Sequence, residues 1–223
     1  MSNTLVVSDI HLGSPVSRVK AFAKVLRNEK YKKLIINGDL FDNNHMGKYK
    51  KHHWKIISLI RKISKKKDVV LIKGNHDIHS FNVIRVLDMK FHDEYEMDFN
   101  GKRILFMHFH QFDSFISKHP IITAFAESIY YFLQSLDRSK KFSRWIKRTS
   151  KKFLHVKVKI RIKALNYIKD LPYDCIIGGH IHFAESFVCS ETGKEYHNSG
   201  SFCDDPCHYL LIDKNGEVTL KEV

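Results

Sequence analysis

The chain has 223 residues, 43% of them apolar, and a formal net charge of +14. That size buries the core of one compact domain with an insert and leaves no room for a second catalytic unit. No run of about 18 apolar residues and no basic, apolar, small-residue leader occurs, and four cysteines are too few for a disulfide scaffold, so the reading is a cytoplasmic protein, peripheral at most to the inner face of a membrane.

In chain order, the apolar run at residues 5–7 leads into Asp9 and His11, and residues 16–27 read as a helix. The run at 34–36 leads into Gly38 and Asp39, followed by a helix over 48–66 in whose region His45, His52 and His53 are candidates for a substrate mouth. The run at 69–72 leads into Gly74, Asn75, His76 and Asp77, with a helix expected over 78–87 and a strand over 94–99. Residues 104–107 run into His108, with His110 close by, and residues 175–177 run into Gly179, His180, Ile181 and His182. Strands at 186–190, 209–212 and 218–220 complete the pattern, with Asn198, Ser199 and Gly200 as a loop of the same rim.

Short β-branched runs bounded by Gly or Asn fit buried strands of an α/β sheet, whose ligand crevice lies outside the strand carboxyl ends. Each motif alone is an ordinary cap or turn. Four histidines delivered to the same strand ends are not. Carboxylate, amide oxygen and imidazole without thiolate suit Mn²⁺ first, with Fe or Zn²⁺ as alternatives. Two cations about 3.5–4 Å apart need a bridging carboxylate, for which Asp39 is the candidate.

Between 113 and 170 the chain changes character. Pro120 opens a stretch in which Ile121, Phe125, Ile129 and Leu133 recur at helical spacing. Residues 140–153 set Phe142, Trp145, Ile146 and Phe153 against Arg144, Lys147, Arg148 and Lys151, a basic amphipathic helix with an aromatic face. Residues 156–163 alternate apolar and basic, a strand-like period, but the following Ala164, Leu165 and Ile168 favour a helix. From Arg138 to Lys169 there are thirteen bases and no acid, which leaves 25 bases against 24 acids elsewhere. Such a run is either a solvated face or meets an anionic partner.

The ordered blocks resemble the calcineurin-like metallophosphoesterases: Asp-x-His at 9–11, Gly-Asp at 38–39, Gly-Asn-His-Asp at 74–77, His108, and Gly-His-x-His at 179–182. The resemblance implies an α/β sandwich, an α/β/β/α stack of two mixed sheets with a helical basic insert, divided as residues 1–113 and 170–223 for catalysis and 114–169 as insert. The runs that carry the blocks would form one sheet, and 94–99, 186–190, 209–212 and 218–220 the other. It also implies two divalent metal ions: Asp9, His11, Asp39 and His182 around one, and Asp39, Asn75, His108 and His180 around the other. His76 would be the catalytic histidine, with Asp77 orienting it.

Within the family the chain is most similar to the UDP-2,3-diacylglucosamine hydrolases, through Ser8 to Gly13, Gly38 to Asp42, Met107 to Asp113, and Asn198 to Gly200. It departs from them in carrying His76 for Arg, Phe109 for Gly and Ser201 for Asp. The implied activity is hydrolysis of a phosphodiester or pyrophosphate in a lipid-linked, UDP-diacylglucosamine-like substrate, with peripheral membrane contact through 120–169. The alternative is a nuclease or nucleotide phosphodiesterase whose insert tracks a nucleic-acid backbone. A non-catalytic scaffold would have no need of every ligand.

Overall fold

The structure, a computed structural model, describes residues 3–42, 47, 49–77, 81–113 and 151–223. The elements in chain order are β1 (Thr4–Val7), α1 (Val19–Asn28), β2 (Lys33–Asn37), α2 (Lys51–Ser64), β3 (Asp68–Ile72), α3 (Phe81–Val86), β4 (Lys90–His92), β5 (Tyr95–Phe99) and β6 (Lys102–Phe106). A 3₁₀ turn (His110–Phe112) follows, then α4 (Lys151–Ile168), β7 (Cys175–Gly178), β8 (Glu185–Val188), β9 (Glu195–Asn198), β10 (His208–Ile212) and β11 (Val218–Glu222). The helices expected over 120–136 and 140–150, and His45, lie outside the described residues. No described helix is long and apolar enough to cross a membrane.

Two mixed sheets face each other, ordered β11-β10-β1-β2-β3-β4 and β5-β6-β7-β9-β8. The first is parallel from β1 to β4 and antiparallel at β10 and β11. The second is parallel at β6-β7-β9, with β5 and β8 antiparallel at its edges. Because side chains alternate along a strand, a strand with partners on both faces is apolar throughout. Val6, Ile35, Val70 and Leu210 meet Ile104, Phe106 and Ile177 between the sheets. Leu5, Val7, Leu34 and Ile36 point the other way, onto Phe22 and Leu26 of α1 and Ile56 and Ile60 of α2. On the outer face of the second sheet, Leu105, Ile176 and Tyr196 receive Ile160, Ala164 and Ile168 of α4.

The expected division of strands is corrected: β6 and β7 lie in the second sheet, whereas β10 and β11 belong to the first. A strand buried on both faces has the same apolar signature in either sheet, so composition carries no vote. The short β4 and β9 were not expected. α4 settles the ambiguous period in favour of a helix, because its buried stripe is Ile160, Ala164 and Ile168. Val158 and Ile162, which made the run look like a strand, stand outward at 40% and 51% exposure. All four cysteines are free thiols, as expected.

Among the described residues, three bases of the basic run have structural partners. Lys157 and Arg161 reach Oε1 of Glu185 at 3.0 and 2.6 Å. Their cations also lie 3.8 Å over the Phe183 ring and 4.2 Å over Phe187. Lys163 donates to the Phe112 carbonyl at 2.8 Å. The first two residues fasten α4 to the segment that follows His182, and Lys163 fastens it to the 3₁₀ turn.

Phe109 has φ +80°, in the left-handed region. A bulky residue there is strained by about 1–2 kcal/mol. Its fully buried ring stacks on Tyr196, centroids 5.4 Å apart. Room for it comes from Gly178, where an added Cβ would overlap the Phe109 ring. Gly178→Ala is therefore expected to destabilise the fold by about 1–3 kcal/mol through overpacking, seen as a lower Tm; an unchanged Tm contradicts this packing.

Candidate metal centre

The parallel strands of both sheets deliver polar side chains at their carboxyl ends. Asp9 and His11 follow β1, Asp39 follows β2, Asn75 and His76 follow β3, His108 follows β6, and His180 and His182 follow β7. Backbone hydrogen bonds lace these loops together: Asp9 N donates to Gly38 O at 3.1 Å, Ile10 N to Asp39 O at 2.9 Å, and Gly179 N to His108 O at 3.3 Å. Gly74 admits Asp39, since a Cβ there would strike the Asp39 carboxylate and amide.

Five of the seven predicted metal residues hold left-handed backbone: Asp9 (φ 54°), His11 (48°), Asp39 (53°), His180 (71°) and His182 (54°). Such conformations cost on the order of 1–3 kcal/mol each in a non-glycine residue and persist where the surroundings over-determine them. The strain aims side chains inward from both sheets.

Their donor atoms converge. His182 Nε2 lies 3.2 Å from Asp9 Oδ1 and 3.3 Å from His11 Nε2. His11 Nε2 is 3.6 Å from Asp39 Oδ2, and on its far side the same Oδ2 is 3.2 Å from His108 Nε2. Asp9, His11 and His182 form one cluster of donors, each within 4.8 Å of the others; Asp39, His108 and His180 form a second. Asp39 also clusters with His11 and His76, so it touches both halves of the site.

The donors fit divalent metal. Asp9 Oδ1, Asn75 Oδ1 and His108 Nε2 are buried and have no hydrogen-bond partner. The two oxygens are buried acceptors without a hydrogen bond, which is costly unless a cation satisfies them. His108 Nδ1 lies 2.8 Å from the Asn37 carbonyl. A proton held there leaves Nε2 as the ligating nitrogen.

The charges are tightly coupled. Burial raises the Asp9 pKa, but His182 beside it outweighs burial and holds the group at about 2. Burial likewise opposes ionisation of Asp39, yet His108 and His76 keep it well below the usual carboxylate range. For His108, burial alone would lower the pKa, whereas the Asp39 carboxylate pushes it up to about 10. Without a cation, Asp39 and His108 are therefore an ion pair at neutral pH. A cation must displace the His108 proton, so affinity should rise by about tenfold per pH unit until pH approaches 10. Calorimetry in two buffers of different ionisation heat should show about one proton released per chain from this residue; buffer-independent heats contradict it.

All nine predicted site residues lie around this pocket, but Asp77 does not hold His76 as expected. Its buried carboxylate accepts the backbone N–H groups of Asp39 (2.7 Å), Phe41 (3.1 Å) and Gly74 (3.2 Å). It clamps the loop that carries Asp39. His76 is held instead through Nδ1, 2.8 Å from the Asp42 carbonyl, and by its amide on Asp39 Oδ1 at 3.0 Å. Asp42, whose Oδ1 also lies 3.4 Å from His11 Nδ1, and Asp113, 3.3 Å from His180 Nε2, were missed as site residues. Asp42 stands three residues after Asp39 and Asp113 five after His108, and that nearness was the available signal. His53 Nδ1 accepts the Lys50 N–H at 3.1 Å and caps α2. Asn198 to Gly200 pack behind the site, with Asn198 Nδ2 donating to Gly179 O at 2.6 Å and the Ser199 hydroxyl 2.7 Å from that of Ser8.

Residues 2–184 match the profile of the calcineurin-like phosphoesterase family. Among solved structures, a novel archaeal phosphodiesterase superposes with a TM-score of 0.57 at 13% identity over 99% of both chains. YfcE, a phosphoesterase from E. coli, gives 0.55 at 15% identity over 99% of this chain and 98% of its own. Vps29 from Chaetomium thermophilum gives 0.53 at 13% identity over 100% and 97%. Identities this low establish the shared fold alone. No curated protein matches the sequence. With the family's profile spanning most of the chain and both of its ligand clusters, this protein belongs to the calcineurin-like phosphoesterases and is a metal-dependent phosphoester hydrolase.

Proposed function

We propose that the chain hydrolyses a phosphodiester or pyrophosphate bond with two divalent ions, Mn²⁺ by preference. Asp9, His11, Asp39 and His182 would hold one, and Asp39, Asn75, His108 and His180 the other. The observation that carries this reading is the pair of donor clusters that share Asp39's neighbourhood, together with the buried acceptors Asp9 Oδ1 and Asn75 Oδ1, which make no hydrogen bond. When bound, two such cations offset the charge of a phosphate and bring the pKa of a shared water toward neutrality.

The protein's own groups account for the rest. His76 keeps one proton at Nδ1 on the Asp42 carbonyl, and its ring lies among the donors of His11 and Asp39. As imidazolium it donates from Nε2 to the leaving oxygen. Asp77 keeps Asp39 in place from behind through the Asp39 amide. Asp39 in turn fixes the His76 amide, so the carboxylate between the ions also sets the position of the acid.

For the substrate, we favour a lipid-linked, UDP-diacylglucosamine-like ester whose acyl chains are taken by the insert at residues 114–169. The motif likeness supports this, as does the outward pair of Val158 and Ile162 set among bases. It also supports contact with the inner face of a membrane. A nucleic-acid track is the second reading, but Lys157, Arg161 and Lys163, which it would need, are engaged with Glu185 and Phe112.

The test is hydrolysis by Mn²⁺-loaded protein of a UDP-linked diacyl sugar, a plain UDP-sugar and single-stranded DNA, with Asp39→Ala as blank. Turnover of the acylated compound alone is expected. Cleavage of DNA instead would transfer the insert to phosphate tracking.

A further inference from the structure

We infer that Asp113 is a positioning residue that selects the metal-binding nitrogen of His180 and ties that ion to the seating of α4. This rests on the proposed dinuclear centre.

The main chain of His180 is already fixed: its N–H donates to Asp9 Oδ2 at 3.0 Å, at φ +71°. What remains open is which ring nitrogen faces Asp39 and His108. Asp113 Oδ2 lies 3.3 Å from His180 Nε2, and both side chains are largely buried. A neutral imidazole has one N–H, and a carboxylate beside Nε2 draws the proton there, which leaves the Nδ1 lone pair for a cation. His108 is arranged the opposite way, with Nδ1 on the Asn37 carbonyl and Nε2 toward Asp39. Two histidines of one ion thus use different nitrogens, each set by its outer partner.

The position of Asp113 depends on α4. Its amide donates to His110 O at 3.1 Å, closing the 3₁₀ turn. The preceding residue, Phe112, accepts Lys163 Nζ at 2.8 Å and meets the Tyr167 ring with centroids 5.6 Å apart. Displacement of α4 therefore moves the turn, then Asp113, then the tilt of the His180 ring. A substrate or surface that engages the insert would act on the affinity for one ion by this route.

Two measurements test it. In protein loaded with Zn²⁺, long-range ¹H–¹⁵N correlation spectra of the imidazoles should show His180 protonated at Nε2 and metallated at Nδ1; the reverse pattern overturns the inference. Calorimetric titration with Mn²⁺ should show Asp113→Asn weakening one ion by about 10–100-fold and leaving the other unchanged. Lys163→Met should weaken the same ion by a smaller factor. Parent-like affinities in Asp113→Asn overturn the positioning role, and parent-like affinities in Lys163→Met overturn the link to α4. A parent protein that takes up no Mn²⁺ would instead remove the metal reading itself.

Discussion

Asp39→Ala is expected to leave a folded protein that retains neither ion and turns over a phosphodiester at least about 10³-fold more slowly at any Mn²⁺ concentration. The physical reason is the number of groups that meet at one carboxylate. Asp39 Oδ2 lies between His11 Nε2 and His108 Nε2, at 3.6 and 3.2 Å, while Oδ1 accepts the His76 amide. Removing it deprives both donor clusters of their shared charge and releases the backbone of the proposed acid. Metal-ion stabilisation of the transition state is worth several kcal/mol, and each 1.36 kcal/mol is a factor of ten in rate. Metal analysis after dialysis, together with kcat, checks the result. Two retained ions, or a rate within tenfold of the parent, would show that Asp39 does not join the two halves.

His76→Ala separates chemistry from metal binding. Turnover should fall by about 10²–10⁴-fold while both ions remain, because His76 is proposed to deliver a proton. The loss should be large with an alkoxide leaving group and small with p-nitrophenolate, which departs without protonation. His76 also lies within donor distance of His11 and Asp39, and its ring centroid is 4.7 Å from that of His11. Were it a ligand, ion uptake would fall along with rate, whatever the leaving group. Equal losses for the two leaving groups would remove it from proton transfer.

The clustering of the proposed metal residues was foreseeable in the sequence because two different signals coincide there. An apolar run marks a strand buried on both faces, and the residue that ends it has a chemistry no core needs. Sheet membership was not legible, since Ile104, Phe106, Cys175 and Ile177 are as apolar as Leu5, Leu34 and Val70 wherever they pair. The role of Asp77 was misread for a related reason. Its partners are main-chain amides of Asp39, Phe41 and Gly74, and a sequence does not print which backbone groups need an acceptor. In α4, the alternation at 156–163 obscured a stripe spaced by four at Ile160, Ala164 and Ile168. Phe109 became intelligible only with its φ, its stacking on Tyr196 and the missing Cβ of Gly178 in view.

Two ions joined through Asp39 are proposed to form the working centre. The most direct test is to strip the protein of metal, add Mn²⁺ stepwise, and follow bound ions and hydrolysis of bis(p-nitrophenyl) phosphate on the same sample. The account predicts no turnover in the stripped protein, a plateau at two ions per chain, and no recovery in Asp39→Ala. Full rate at one ion per chain, or hydrolysis undiminished by stripping, would contradict it.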